Sequence, residues 1–167
     1  MKNTTVILLF LLTTLNIYSQ IDPDAIEIVR DSYGVPHIYA PTDAEVAYGF
    51  AWAQAEDDFK TIQQAYLAGN GLLSKFIGLK GAAADFLVQL IQSEKIVNEQ
   101  FNTLDPKFIK LLQGFTEGLN AFAEKHPDEI LESSLFPLTP QKILRYTQLQ
   151  LFLSNGAAHL VSGLVNN

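Results

Sequence analysis

The 167-residue sequence contains no cysteine, which excludes disulfides, thiolate metal sites and cysteine-linked lipid. Stability must therefore come from packing. Basic residues are scarce as well: 11 Lys plus Arg stand against 18 Asp plus Glu, a formal net charge of −7. They form no run able to neutralise phosphates, so neither nucleic acid nor an anionic membrane surface is expected as a partner. There is no internal repeat, no low-complexity tract and no Gly-x-Ser-x-Gly elbow. None of the 3 histidines lies in a recognisable motif with a serine and an acid, so a self-contained triad is not expected. Long apolar runs are almost absent too. The single one, Val6 to Leu12 extended by Leu15 and Ile17, follows Lys2 and precedes the small and polar Ser19 and Gln20. Those are the three parts of a secretory signal, with cleavage expected near Ser19. Thr13, Thr14 and Asn16 interrupt the run, whereas a spanning helix needs roughly 20 nearly continuous apolar residues. Residues 1–19 thus read as a signal peptide, residues 20–167 as the exported region, and the destination as periplasmic or secreted.

What is present reads as α+β and mostly helical. Ile26 to Arg30 and Val35 to Tyr39 are β-prone runs separated by Asp31-Ser32-Tyr33-Gly34, whose Asp, Ser and Gly form turns, so a hairpin is expected. Pro36 has no N–H and belongs at an edge or at the start of a strand. Thr42-Asp43-Ala44-Glu45 fits a capping box and should open a long helix. Its apolar positions Val46, Phe50, Ala53, Phe59, Ile62 and Leu67 lie close to helical spacing, and Gly69-Asn70-Gly71 stops it. A shorter helix from Leu72 to Ile77 ends at Gly78, and the apolar spacing from Asp85 to Phe101 predicts another. Asp105-Pro106 and Thr139-Pro140 each pair a cap with proline at the first helical position. The first opens a helix whose Phe108, Leu112, Phe115, Leu119 and Phe122 predict a buried stripe, broken at His126-Pro127. The second opens a final helix through Leu151 and beyond. The total is one hairpin plus about five helices. A lone hairpin is marginal in water, so this one is expected to borrow a larger sheet from another polypeptide.

Three segments, in order, carry a resemblance. Ile28 to Ala40 with Tyr48 to Phe59, then Gly69 to Gly78, then Leu112-Gln113-Gly114-Phe115-Thr116-Glu117-Gly118-Leu119-Asn120-Ala121-Phe122 together resemble the α subunit of the penicillin acylase family. The resemblance implies an N-terminal-nucleophile hydrolase with a four-layer αββα core, of which residues 20–167 would be the α-chain part, an incomplete domain completed by a β chain of the same precursor. It also implies amide cleavage through a serine acyl-enzyme. A serine hydroxyl needs a base, and a terminal α-amino group, with a reference pKa near 8, can serve from the same residue. That serine would begin the β chain, so no catalytic residue is expected here. Substrates would be small acylated amides: penicillin-type, acyl-homoserine lactone or acyl-peptide.

By the same resemblance the final helix contributes to the acyl pocket, which nominates Phe152, Asn155 and His159 for substrate binding beside the small Gly156, Ala157 and Ala158. Ser154-Asn155 resembles the start of a family β chain but follows Leu153 where glycine is usual, and is rejected as the nucleophile. Calcium-binding members use a glutamate after this helix, whereas Glu132 is the last acid here, so no metal ligand and no cofactor is expected from this chain. His37 is expected to be a structural histidine bonded to backbone. Glu56, Asp57 and Asp58 point in different directions on a helix and read as a solvated face with one packed carboxylate; the resemblance implies that Asp57 or Asp58 makes structural hydrogen bonds. Trp52, Phe50 and Phe59 read as core before pocket. The competing readings are a non-catalytic helical interaction module and a truncated, inactive product.

Overall fold

The structure, a computed structural model, describes residues 21–157, so the expected signal peptide lies outside the described residues. Strands β1 (Glu27–Arg30) and β2 (Pro36–Tyr39) pair antiparallel with Ile28 opposite Ile38 and Arg30 opposite Pro36. Pro36 opens its strand, where its missing N–H does no harm. The Asp31 carboxylate closes the turn by accepting from the N–H of Tyr33 (2.8 Å) and of Val35 (3.0 Å). Those two backbone donors, ahead of His37, hold its carboxyl below the usual carboxylate range. A carboxyl depressed in the fold contributes stability above its unfolded pKa, near 4, and that contribution is lost as pH falls through the lower folded value. Acidification should therefore lower the protection of the Tyr33 and Val35 amides, taken against their intrinsic exchange rates at each pH, before that of other amides, as should Asp31→Ala at neutral pH; unchanged protection factors at both amides would refute this assignment.

Among the described residues six α-helices follow: α1 (Asp43–Gly69), α2 (Leu73–Ile77), α3 (Ala82–Leu90), α4 (Ser93–Gln100), α5 (Pro106–Lys125) and α6 (Pro140–Phe152). The capping box at Thr42 forms in both directions, with Glu45 accepting from the Thr42 N–H at 3.0 Å. Helix α1 is kinked at Asp58, whose φ of −160° is not helical. Asp58 starts the second half of the helix as a cap, its carboxylate accepting from the N–H of Thr61 at 3.0 Å. The stretch from Asp85 to Phe101, expected as one helix, is two: the chain turns at Gln92, with φ +51°, and α4 begins beyond it. Buried Ser93 explains the break, because its hydroxyl donates to Gln148 Oε1 (2.7 Å) and fixes α4 against α6.

Helices α1 and α5 run side by side in the same direction and form the centre of the fold. Gly114 and Gly118 of α5 lie against the backbone of Ala44 and Tyr48, so no side chain separates the two helices there. Gly49 does the same for the hairpin: a Cβ on it would stand 2.8 Å from Ile38 and 2.9 Å from Ile26. The core continues through Phe59, Leu67, Leu119, Phe122, Leu135 and Ile143. Phe59 and Trp52 both meet the Phe122 ring edge-on, at 5.0 and 5.2 Å between centroids. The expected stripe on α5 is buried at Leu112, Leu119 and Phe122 and partly buried at Phe115, but Phe108 is exposed. The reason is geometric: Gly114 faces the first turn of α1, so the beginning of α5 overhangs its partner.

Two side-chain amides hold the loop between α5 and α6. Buried Gln63 donates to the Glu129 carbonyl (2.9 Å) and accepts from the Leu131 N–H (2.8 Å). Asn120 donates to the Leu138 carbonyl (2.9 Å) and accepts from its N–H (2.7 Å). A third polar clamp is Asp85, whose carboxylate accepts from the N–H groups of Leu73 and Ser74 at the start of α2.

Candidate functional site

The segment that stands out most in the sequence, Ile28 to Ala40 with Tyr48 to Phe59, is a staple between the hairpin and α1. Arg30 donates to the Gly34 carbonyl within the hairpin (2.9 Å), and reaches across to the Ala53 carbonyl (3.2 Å), Glu56 (3.1 Å) and Asp57 (2.9 Å). Glu56 also accepts from the Trp52 indole at 2.9 Å, and Lys125 lies over the Trp52 ring at 4.8 Å. Glu56 and Asp57 are thus solvated carboxylates tied to one guanidinium, and Asp58 is a helix cap; none faces a cavity as an acid/base pair would. All three carboxylates are well exposed or serve backbone, and a packed one among them is not found. Phe59 is core, Trp52 is partly buried against it, and Phe50 is instead exposed beside Phe115 at 6.2 Å.

His37 differs from expectation. It is half exposed, and its Nε2 lies 3.4 Å from the Asp31 carboxylate, not on backbone, because the outward face of β2 presents it to the turn. His126 stacks on Phe122 at 4.1 Å and pairs with Glu129 at 3.2 Å. The charged group nearest each of these two histidines is a carboxylate, and neither is paired with a serine. Ser93 is engaged with Gln148, and Ser154 donates to the Leu151 carbonyl at 3.1 Å. Among the described residues, no three His, Asp or Glu groups gather to hold a metal ion, and no helix is long and apolar enough to cross a membrane.

Of the three residues nominated on the final helix, Phe152 and Asn155 fall within the described residues. After Phe152 the backbone widens into a π-type turn over Leu153–Ala157, where Gly156 takes φ +94°. Phe152 and Asn155 lie at the surface, and the Asn155 amide donates back to the Leu151 carbonyl at 2.6 Å. His159 lies outside the described residues, as does Ala158. One step earlier on the same helix, however, Leu144 and Leu151 form one wall of an apolar groove of about 270 Å³, opposed by Ile96, Val97, Phe101 and Leu104. Periodicity over 85–101 could not have located this groove, because it exists only once α4 turns away from α3 at Gln92.

Comparison with known proteins adds the context in which this surface sits. The family model described as penicillin amidase matches residues 25–162. Penicillin G acylase of Escherichia coli is 29% identical over 122 residues, covering 70% of this chain and 14% of that protein. Acyl-homoserine lactone acylase PvdQ of Pseudomonas syringae pv. syringae is 26% identical over 151 residues, covering 83% of this chain and 19% of that protein. Among solved structures, the thermostable penicillin G acylase from Alcaligenes faecalis superimposes with a TM-score of 0.63 at 22% identity, and the alignment covers 80% of this chain and 73% of the matched one. That likeness establishes a shared fold. The chain spans less than a fifth of the curated relatives' length, yet it is close in length to the solved chain it matches.

Proposed function

Since this chain belongs to the penicillin amidase family, we propose that it is the α-chain part of an exported acylase that hydrolyses acyl-amide bonds, with the serine nucleophile on a companion β segment of the same precursor. One observation carries the reading: the family match aligns this chain with a small fraction of its full-length relatives and with most of one chain of a solved acylase. Surface chemistry supports it. Val46 and Phe50 on α1 and Phe108 and Leu111 on α5 are 37–46% exposed, an apolar face of the kind monomeric proteins cover. Val29 and Tyr39 on the hairpin's outer face are exposed too, and its edges are free among the described residues. A companion sheet would cover both.

In this reading the chemistry is divided. The companion serine adds its oxygen to the acyl carbonyl while its own α-amino group takes the hydroxyl proton and passes it to the departing amine; water then cleaves the acyl ester. This chain supplies scaffolding through the Arg30 staple and an apolar wall through α4 and α6. The acyl group is penicillin-type, homoserine-lactone-linked or peptide-linked, and the acidic, cysteine-free surface is compatible with the periplasmic or secreted location proposed from the N-terminal run.

Co-expressing this chain with the strand-rich segment encoded after it, and assaying chromogenic anilides with aryl-acetyl and straight-chain acyl groups, tests the proposal. Hydrolysis is expected only from the co-expressed pair. Equal turnover by this chain alone, or none from the pair on any acyl group, would overturn it.

A further inference from the structure

The two edges of the hairpin are not alike. The Asp31 N–H donates to the Val35 carbonyl at 3.1 Å, which fixes the phase of the ladder. Antiparallel pairing alternates from there, so the backbone groups of Val29 and His37, and of Glu27 and Tyr39, face one another, whereas those of Ile28, Arg30, Pro36 and Ile38 point away from the hairpin. Pro36 has no N–H to offer at its outward position, and a proline placed so marks a strand that stands at the edge of its sheet. On β1, both Ile28 and Arg30 carry an outward N–H and an outward carbonyl, and among the described residues no further strand meets them. We propose that β1 is the joining edge: an extended strand of the companion segment pairs with β1 through the backbone of Ile28 and Arg30, which leaves β2 as the last strand of the assembled sheet. This inference rests on the α-chain reading above and adds the edge at which the two parts meet.

The chain itself sets the limits of that edge. The Ile26 N–H is used by the Pro23 carbonyl (3.2 Å), so the open ladder begins beyond it. At the other end the Asp31 carboxylate closes the turn by taking the Tyr33 and Val35 amides. Natural edges are blunted by proline or by a charged side chain. Proline does this for β2, whereas on β1 the guanidinium that could do it is held on α1 by the Ala53 carbonyl, Glu56 and Asp57. A two-stranded ribbon is too small to be stable by itself, so an open, unblunted edge calls for a strand. The occupant is the companion and not a second copy because the apolar face assigned to the companion begins beside this hairpin: the exposed Val46 and Phe50 flank Gly49, on which Ile38 and Ile26 sit. One partner covers the edge and the face together.

The test uses the pair, this chain co-expressed and purified with the companion segment. Residue-resolved hydrogen exchange by mass spectrometry should show the Ile28 and Arg30 amides protected to the range of Val29, which is bonded within the hairpin, while Ile38 exchanges as an open edge. Ile28→Pro and Ile38→Pro form a matched set, because the two residues stand opposite one another and each substitution removes an N–H that the hairpin does not use. Ile28→Pro should weaken retention of the companion by about tenfold or more, since it leaves a companion carbonyl unpaired, and Ile38→Pro should change it by no more than about twofold. Where a variant fails to fold, the exchange pattern of the parent pair decides. A pair that assembles and hydrolyses anilides while Ile28 and Arg30 exchange as fast as Ile38, or with Ile38 protected in their place, would overturn this inference and leave the α-chain reading intact. Protection of Ile28 and Arg30 in a particle of two copies without the companion would overturn it too, and failure of the pair to assemble at all would remove both.

Discussion

Gly114→Val should destabilise the fold by at least about 3 kcal/mol, the upper range for overpacking, because the new Cβ would occupy the space of the Ala44 carbonyl. The neighbouring structure has little room to give. What Gly114 meets is backbone in the first turn of α1, and that turn is pinned by the Thr42–Glu45 capping box. Gly118→Val should behave alike against Tyr48 and Ala51. A useful contrast is Gly78→Ala, where φ is +65° and nothing lies within 4 Å of an added Cβ. Only the backbone opposes it, since φ +65° with ψ −144° lies close to the region that glycine alone adopts, so its cost should be about 1–3 kcal/mol, below that at Gly114. Thermal or urea melts of the three variants separate close approach from backbone strain; equal losses at Gly114 and Gly78 would show that helix contact is not what requires the glycine.

Asn120→Ala should cost about 2–4 kcal/mol, since it strips both partners from Leu138, which is 3% exposed, and leaves a buried N–H and a buried carbonyl unpaired. The loop that enters α6 would loosen, and with it the α6 wall of the apolar groove. Asn120→Asp offers a pH-resolved version. It keeps an acceptor for the Leu138 N–H, but at neutral pH it sets a carboxylate against the Leu138 carbonyl. The folded pKa of that new carboxyl is raised above its unfolded value, near 4, since only the protonated form can donate. Its stabilising contribution is therefore full below the unfolded pKa and lost as pH rises through the folded one. Melts of Asn120→Asp should recover toward the parent protein on acidification, while Asn120→Ala should not. If both variants melt like the parent protein at neutral pH, the clamp has no role in holding the loop.

These sites illustrate what a single sequence reveals here. Caps and stops are local chemistry, so Thr42 with Glu45, the Asp105-Pro106 and Thr139-Pro140 pairs, and Gly78 mark helix ends that the structure reproduces. The turn at Gln92 had no such signal. Neither glycine nor proline marks it, and it is held by a hydrogen bond from Ser93 to a residue far along the chain. Asp58 was disguised by its two acidic neighbours, although the Asp58 to Thr61 spacing is that of a cap. Gln63 and Asn120 are polar residues on apolar faces, and only the loop they clamp gives them meaning. Periodicity likewise placed Phe108 and Phe50 in the core, yet whether a helical apolar residue is covered depends on where its neighbour begins and on what packs outside. The nominated pocket residues depend on the same kind of neighbour. Phe152 and Asn155 are at the surface of this chain, and a wall becomes a pocket only when a second wall faces it.

That second wall is the centre of the account, and covalent labelling tests it most directly. Treating the assembled protein with a serine-directed sulfonyl fluoride and weighing its polypeptides intact should place one sulfonyl group on the first residue of the companion segment and none on the chain described here. A label on this chain instead, at Ser93, Ser154 or any other serine, with the companion unmodified, would contradict it.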